Sequence, residues 1–511
     1  MANNITKAAA VIVVMNFVAK LLGFVREMAI AGAFGATMYT DAYLVAYTLP
    51  YSLQAVLGSA LVTVTVPLLT KYLLEENKKE AFLVGNYFLN LVALVMLIVT
   101  ILGIAFAPIL VKITAPLFDG ETAALAVQLT RIMFPAILFM SIGMVLSGYL
   151  NANHRFLVSA SAPALCSAII IISVCLVSRI QGLAIGTLLG FVGFMLIHLP
   201  SVAQTGFRYQ AKLSWHHPDV RAAMVSLVPI VLGTSVNQIY YIINRIFASG
   251  LAEGSISALN YASKVVNLPG GIFVAAMAVA IYPYLTEYAM KGEEERLDRV
   301  IHKGVGLVMF LGIPSAVGLM VLRQPIITLL FQRGAFDATA TAMTSSALLW
   351  YAIGLLPFAV VLVMVKVFYA FEDNKLPLYA GGAGILVNLA ISFLTMKWMG
   401  VGGLALATSL AGTANMLVFF IALKKHMPHF HYGPLVQSFG KIFFSSLLMA
   451  AAVKLTEWCL GVFSINSVFL LVLCCIIMGV TVYLLFAAIL KVREFNDTKE
   501  ILLHKLKRAS S

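Results

Sequence analysis

At 511 residues, 61% hydrophobic and only 11% charged, with a mean hydropathy of +0.97, this chain is too apolar to be a water-soluble fold. Soluble domains carry roughly a quarter charged residues, so the bilayer must be the solvent for most of this one. The net charge of +13 is spread over loops between apolar stretches. Nucleic acid is therefore not an expected partner.

A spanning helix needs about 20 apolar residues, so with loops of about 8–15 residues between spans the chain holds roughly 14 spans. The long apolar runs lack the dyad alternation of a barrel, and the expected class is an all-α polytopic membrane protein. The first element, up to Glu27, is read as a retained span, because Asn16, Lys20 and Arg26 interrupt its apolar run and no clean small-residue cleavage site follows. After it, loops poor and rich in Lys/Arg alternate. The poor ones are GAFGATMYTDA, APLFDGETA, ASGLAEGSIS and CLGVFSINS. The rich ones lie around Lys71–Lys79, His154–Arg155, Arg208–Arg221, Lys291–Lys303, Asn374–Lys375, Lys424–Lys425 and the tail from Lys491. Arg179, Arg333 and Lys397 are exceptions on the poor side. The positive-inside rule then places both termini and every rich loop in the cytoplasm and fixes an even number of spans. Fourteen fits best.

The chain repeats itself. REMAIAGAFGATMYTDAYLVAYTLP is echoed by RIFASGLAEGSISALNYASKVVNLP, so that Arg26 pairs with Arg245, Gly35 with Gly254, Asp41 with Asn260 and Pro50 with Pro269 at a constant offset of 219; Pro67 pairs with Pro283 after a short gap. A second echo joins LFDGETAALAVQLTRIMFP and GYLNANHRF to AFDATATAMTSSALLWYAIGLLP and FYAFEDNK. The expected architecture is two six-helix repeats in parallel orientation, residues 1–215 and 216–435. A C-terminal helix pair and a basic tail follow in 436–511. Such repeats enclose a central cavity.

Ionisable side chains at bilayer depth cost about 2.5–3.5 kcal/mol on insertion scales and read by default as a pathway. Asn16, Lys20 and Glu27 share one face of the first helix, with Arg26 beside them. Asn260, Lys264 and Asn267 share a face of the eighth helix at one-turn spacing, and Asn237, Tyr241 and Asn244 do the same on the seventh, with Arg245 adjacent. These stripes are expected to line a hydrated cavity holding Lys20, Arg26, Arg245 and Lys264, with Glu27 and Asp41 as partners for some of the cations. The excess of positive charge suits an anionic substrate such as a pyrophosphate. Helix–helix glue is the competing reading of the same residues.

LLGFVREMAIAGAFGATMYTDAYLVAYTLP, NQIYYIINRIFASGLAEGSISALNYASKVVNLPGG and LLFQRGAF together resemble the MurJ (MviN) family of the MOP exporter superfamily. The resemblance covers essentially the whole chain. It implies a flippase for lipid II, the undecaprenyl-pyrophosphate-linked peptidoglycan precursor, in the bacterial inner membrane. It further implies that Lys20, Arg26 and Lys264 hold the pyrophosphate, that Asp41 is functionally important, and that the last two helices form a groove for the polyprenyl tail. Lys20 and Lys264 stand where arginine is usual, Gln54 and Ser59 where arginine and glutamate are often found, and Asn244 where many relatives have aspartate.

No GxxxxGK[ST] loop, HExxH or GxSxG occurs. Neither an ATPase, another enzyme nor a cofactor is expected, and the membrane potential or a coupling ion would drive transport. The five cysteines lack CxxC spacing, and His216, His217, His426, His429 and His431 read as solvated rather than as metal ligands. Three rivals stay open: an exporter of another lipid-linked oligosaccharide, a drug/cation antiporter, and a membrane-embedded scaffold or enzyme acting on lipid-linked sugars.

Overall fold

The computed structural model describes residues 2–270, 275–462, 467–497 and 499; the end of the basic tail lies outside them. Among the described residues there are nineteen helices and no strand. The first repeat comprises α1 (Ala2–Phe34), α2 (Met38–Leu74), α3 (Lys78–Ala105), α4 (Ala107–Thr114), α5 (Gly120–Met133), α6 (Ala136–Ala152), α7 (Phe156–Leu176), α8 (Ile180–Leu196) and α9 (His198–Ala203). The second comprises α10 (Pro218–Ala248), α11 (Ser255–Pro269), α12 (Ala275–Lys291), α13 (Glu294–Val321), α14 (Arg323–Phe331), α15 (Ala338–Ala370), α16 (Leu376–Met399) and α17 (Val401–His426). The C-terminal pair is α18 (Gly433–Val462) and α19 (Val468–Ile489). Eleven helical segments are long and apolar enough to cross a membrane. Among the described residues α1, α10 and the pair α11 and α12 remain beside these eleven, which agrees with the expected fourteen spans.

Local chemistry explains where these helices begin and bend. The Asp119 carboxylate accepts from the Thr122 amide at 2.8 Å and caps α5, and those hydrogen bonds hold its carboxyl below the usual carboxylate range. Its repeat partner Asp337 caps α15 in the same way, accepting from the Ala340 amide at 2.7 Å. The breaks between α3 and α4 and between α13 and α14 fall at equivalent residues, Phe106 (φ −92°, ψ 13°) and Leu322 (φ −95°, ψ 14°). Left-handed backbone recurs too. Gly35 (φ 70°) is matched by Gly254 (φ 81°), Glu76 (57°) by Gly292 (66°), and His154 (58°) by Glu372 (60°). The repeat is therefore written in the backbone where side chains have diverged.

By its internal contacts the chain divides into two compact units, Met1–Ser257 with Arg333–Phe336, and Ala258–Gln332 with Asp337–Ser511. In the first, α2, α3, α6 and the start of α10 surround a core built from Leu61, Leu69, Phe88, Val92, Leu150 and Val220. In the second, α13, α15, α17, α18 and α19 surround Ile301, Val308, Val363, Phe368, Phe419 and Ile442. Here α19 docks through one stripe, with Val472, Cys475, Gly479, Tyr483 and Ala487 buried, while Phe469, Ile477 and Leu485 remain exposed, as lipid-facing side chains should be. Tyr483 has a specific task. Pro314 lacks the amide that would reach the Phe310 carbonyl one turn back, and the Tyr483 hydroxyl donates to that carbonyl at 2.7 Å. In a bilayer such a freed carbonyl needs an internal donor.

Candidate functional site

The first group of polar residues lies on α1. The Arg26 guanidinium sits 2.7 Å from the Glu27 carboxylate, and the two side chains are only 14% and 6% exposed. Burying either charge alone would cost several kcal/mol, so the pair enters the membrane as a neutral unit. Alongside, Tyr43, Tyr47 and Tyr51 of α2 stack one turn apart, with ring centroids 6.0 and 5.3 Å from each other. The Tyr43 hydroxyl is bonded to Thr187 of α8 at 2.9 Å, and Tyr47 stacks on Phe191. Further toward the N-terminus Asn16 and Lys20 are exposed, in a stretch that also exposes Phe17 and Leu21.

The second group is a knot of loops inside the first unit, centred on Asp41 at the start of α2. Asp41 is 4% exposed. Its Oδ1 accepts from the Ser257 amide at 2.8 Å and the Ser257 hydroxyl at 2.6 Å, and its Oδ2 accepts from the Gly254 amide at 2.8 Å. Three donors converging on two oxygens is the arrangement an ionised carboxylate satisfies best. It also sets a negative charge on the N-terminus of α11, where four backbone amides lack helical partners and the dipole is positive. Arg245, at the end of α10, donates to the Ile256 carbonyl at 3.4 Å.

Three glycines allow the backbones around Asp41 to approach this closely. A Cβ on Gly254 would lie 2.1 Å from the Ala36 carbonyl oxygen, one on Gly35 2.4 Å from that of Ala335, and one on Gly334 2.2 Å from that of Gly32. All three have positive φ, so no other residue type fits without strain. The Ala335 amide donates to the Gly32 carbonyl at 2.8 Å and stitches the third loop in place. The loop after α4 joins the same end through the Leu117 amide, which donates to the Ser249 hydroxyl at 3.3 Å. Three of the four Lys/Arg-poor loops thus meet at one end of the first unit.

At the opposite end of that unit, Lys71 and Tyr72 both donate to Asp219 at the start of α10, the lysine at 2.8 Å. His217 lies 3.5 Å from Glu80, and Arg155 donates to the Ser201 carbonyl and the Gln204 side chain at 3.1 and 3.0 Å. Lys/Arg-rich loops therefore gather with one another as well.

The expected site residues separate into neighbourhoods. Arg26 and Glu27 are paired, and Asp41 and Arg245 both engage the segment Gly254–Ser257. Asn244 is partly buried on α10, one residue before Arg245, and the Asn237 side chain lies outside the described residues. Asn260 and Lys264, both partly buried, belong to the second unit. Ser257 was missed by sequence reasoning. The signal was there in GSIS, a glycine and two serines opening a helix, the composition of an N-terminus that takes hydrogen bonds.

A family model described as "Lipid II flippase MurJ" matches residues 30–490. The chain belongs to the MurJ family. Among its relatives is the probable lipid II flippase MurJ of Buchnera aphidicola from Acyrthosiphon pisum, 30% identical over 423 residues, covering 81% of this chain and 83% of the relative. The lipid II flippase MurJ of Burkholderia cenocepacia is 28% identical over 471 residues, 89% of this chain and 90% of its own. A solved structure of lipid II flippase MurJ in an inward closed conformation superposes with a TM-score of 0.80 at 26% identity over 94% of this chain and 98% of the other. A MATE-family multidrug transporter of the MOP superfamily, seen inward-facing, superposes with a TM-score of 0.67 at 15% identity over 83% of this chain and 98% of its own. That likeness concerns the fold alone.

Proposed function

We propose that this MurJ-family chain is a transporter that carries lipid II from the cytoplasmic to the outer leaflet of the bacterial inner membrane by opening alternately to each side. The observation that carries the mechanism is the Asp41 knot. A single carboxylate from the first repeat holds the helix start of the second repeat, using hydrogen bonds that a modest free-energy change can break. With the Lys/Arg-rich loops and both termini in the cytoplasm, the knot lies at the outer end. Closed, it seals that end while the headgroup enters from the cytoplasm. Broken, it releases α11 and opens the way out.

Lys20, Arg26 and Lys264 are assigned to the pyrophosphate, with Asn16, Asn244, Arg245 and Asn260 as polar neighbours. Each phosphate oxygen offers charge-assisted acceptors to an ammonium or guanidinium. Glu27 compensates the charge of Arg26 until the substrate arrives; the pyrophosphate then competes with Glu27 for the same guanidinium. Net positive charge on these side chains couples their movement to the membrane potential, at about 2.3 kcal/mol per charge per 100 mV. The apolar flank of α18 and α19 is assigned to the polyprenyl tail. Antiporter and scaffold readings lack an observation of their own here.

The test is translocation of labelled lipid II by the purified chain in liposomes, with rescue of cells depleted of their own lipid II flippase. Movement of the label and rescue support the reading. Failure of both, with a short-chain drug or an ion moved instead, overturns it.

A further inference from the structure

The segment between the two repeats, residues 207–217, is a long connection without helix or strand, yet it is held along its length. Asn86 of α3, fully buried, donates to the Arg208 carbonyl at 3.1 Å and accepts from the Gln210 amide at 2.9 Å. One turn on, Asn90 donates to the Gln210 and Lys212 carbonyls at 2.7 and 2.8 Å. The two amides satisfy the strap's backbone as a neighbouring β-strand would. Phe207 anchors its start against Phe82 and Tyr149 and His217 its end beside Glu80, while most side chains between them are exposed. The exposed set is distinctive. Tyr209, Leu213 and Trp215 are 65%, 58% and 49% exposed, interleaved with exposed Arg208, Lys212 and His216. No acidic residue lies between Gln204 and His217. The nearby carboxylates Asp219 and Glu80 are already engaged by Lys71, Tyr72 and His217.

The level of this strap follows from α3 itself. From Leu91 to Val111 there is no charged or amide side chain, and Lys112 follows. The 15 residues from Leu91 to Ala105 rise roughly 22 Å at about 1.5 Å each, and after the break at Phe106 α4 carries the apolar run on to Lys112, so the two together cross most of a hydrocarbon core of about 30 Å. The exposed face of that stretch is Leu94, Leu97, Ile98, Ile101 and Leu102. Asn86 and Asn90 therefore sit where acyl chains give way to headgroups. Tyr and Trp favour that level, and Lys and Arg there pair with lipid phosphates.

We infer that residues 207–217 form a headgroup-binding strap that seats the first unit on the anionic phospholipids of one leaflet, with Arg208 and Lys212 on lipid phosphates and Tyr209, Leu213 and Trp215 among the glycerol and upper acyl groups. The leaflet is the cytoplasmic one on the orientation proposed above; the lipid preference does not depend on it.

The experiment uses the full chain in phosphatidylcholine vesicles with and without phosphatidylglycerol. The fluorescence of Trp215 is isolated as the difference between the natural chain and Trp215→Phe. It is quenched by lipids brominated near the top of the acyl chain. The expected result is stronger quenching when the bromines are on phosphatidylglycerol than on phosphatidylcholine. R208A/K212A should lower the apparent preference by about fivefold per basic side chain, and R208K/K212R should keep it. Equal quenching from both lipids, or quenching by aqueous iodide but not by lipid, overturns the inference; the second result would point to a soluble partner. Labelling of Lys212→Cys from one side of the membrane, in a chain without its native cysteines, tests the orientation separately.

Discussion

Replacing Asp41 by asparagine tests the knot with almost no change of shape. The amide can present one oxygen, so it keeps either the two Ser257 donors or the Gly254 donor. Whichever contact it loses becomes donor against donor, leaving a buried amide unsatisfied at about 1–3 kcal/mol. The bonds that remain are neutral, and charged hydrogen bonds are roughly twice as strong. The negative charge at the N-terminus of α11 is lost as well, worth up to about 2 kcal/mol in a buried setting. Asparagine is cheaper to bury than an ionised carboxylate, which returns part of this. A net loss of about 2–4 kcal/mol follows, shifting the closed state toward open by roughly 30- to 700-fold. The readout is the rate at which an impermeant maleimide labels Ile256→Cys, a position fully buried when the knot is closed, in a chain freed of its native cysteines. Labelling should accelerate within that range and rescue of a depletion strain should fail at normal protein abundance. Unchanged labelling together with full rescue would refute the claim that Asp41 holds the closed state.

Three further outcomes follow from the same geometry. Gly254→Ala should open the knot more than Ser257→Ala in the same labelling assay, because its Cβ meets a carbonyl at 2.1 Å and it must also hold a left-handed backbone at about 1–2 kcal/mol. Lys20→Ala and Lys264→Ala should each abolish rescue of a depletion strain while immunoblotting shows normal abundance, and full growth of either would remove that residue from the substrate path. Tyr483→Phe strips the Phe310 carbonyl of its donor and should cost about 1–3 kcal/mol, read as earlier thermal denaturation in detergent; Phe310 and Tyr483 belong to the core of the second unit and the knot to the first, so labelling at Ile256→Cys should not change.

Span number and the internal repeat were legible because both rest on features that periodicity and spacing carry. Apolar runs give the helices, and coincident prolines, glycines and an aspartate give the offset. The structure then shows why those residues coincide. Gly35 and Gly254 both need positive φ, and Asp119 and Asp337 both cap helices. The Arg26–Glu27 contact was accessible for the same reason, being local. Long-range partners were not. Asp41 reaches residues more than 200 positions away, and two of its three donors are amides of the main chain, which every residue possesses. Asn86 and Asn90 were equally silent, since their partners are backbone groups of a strap with no pattern of its own.

The chemistry of the knot also bears on how a flippase is driven. An apolar seal of the same area would hold this end of the unit shut with many small contacts that yield only together. A carboxylate gripping three donors concentrates the closing free energy in a few bonds of about 1.5–3 kcal/mol each. Moving one charge across a potential of 100 mV supplies about 2.3 kcal/mol, the scale of one such bond. On the function proposed above, cations that shift by part of the membrane thickness, or a pyrophosphate that displaces Glu27 from Arg26, would tip the balance at Asp41 without unfolding anything. Strengthening the knot beyond a few bonds would trap the closed state, and removing its charge would leave it ajar. One acid held by three donors, with three glycines letting the backbones close around it, is the composition such an intermediate strength requires.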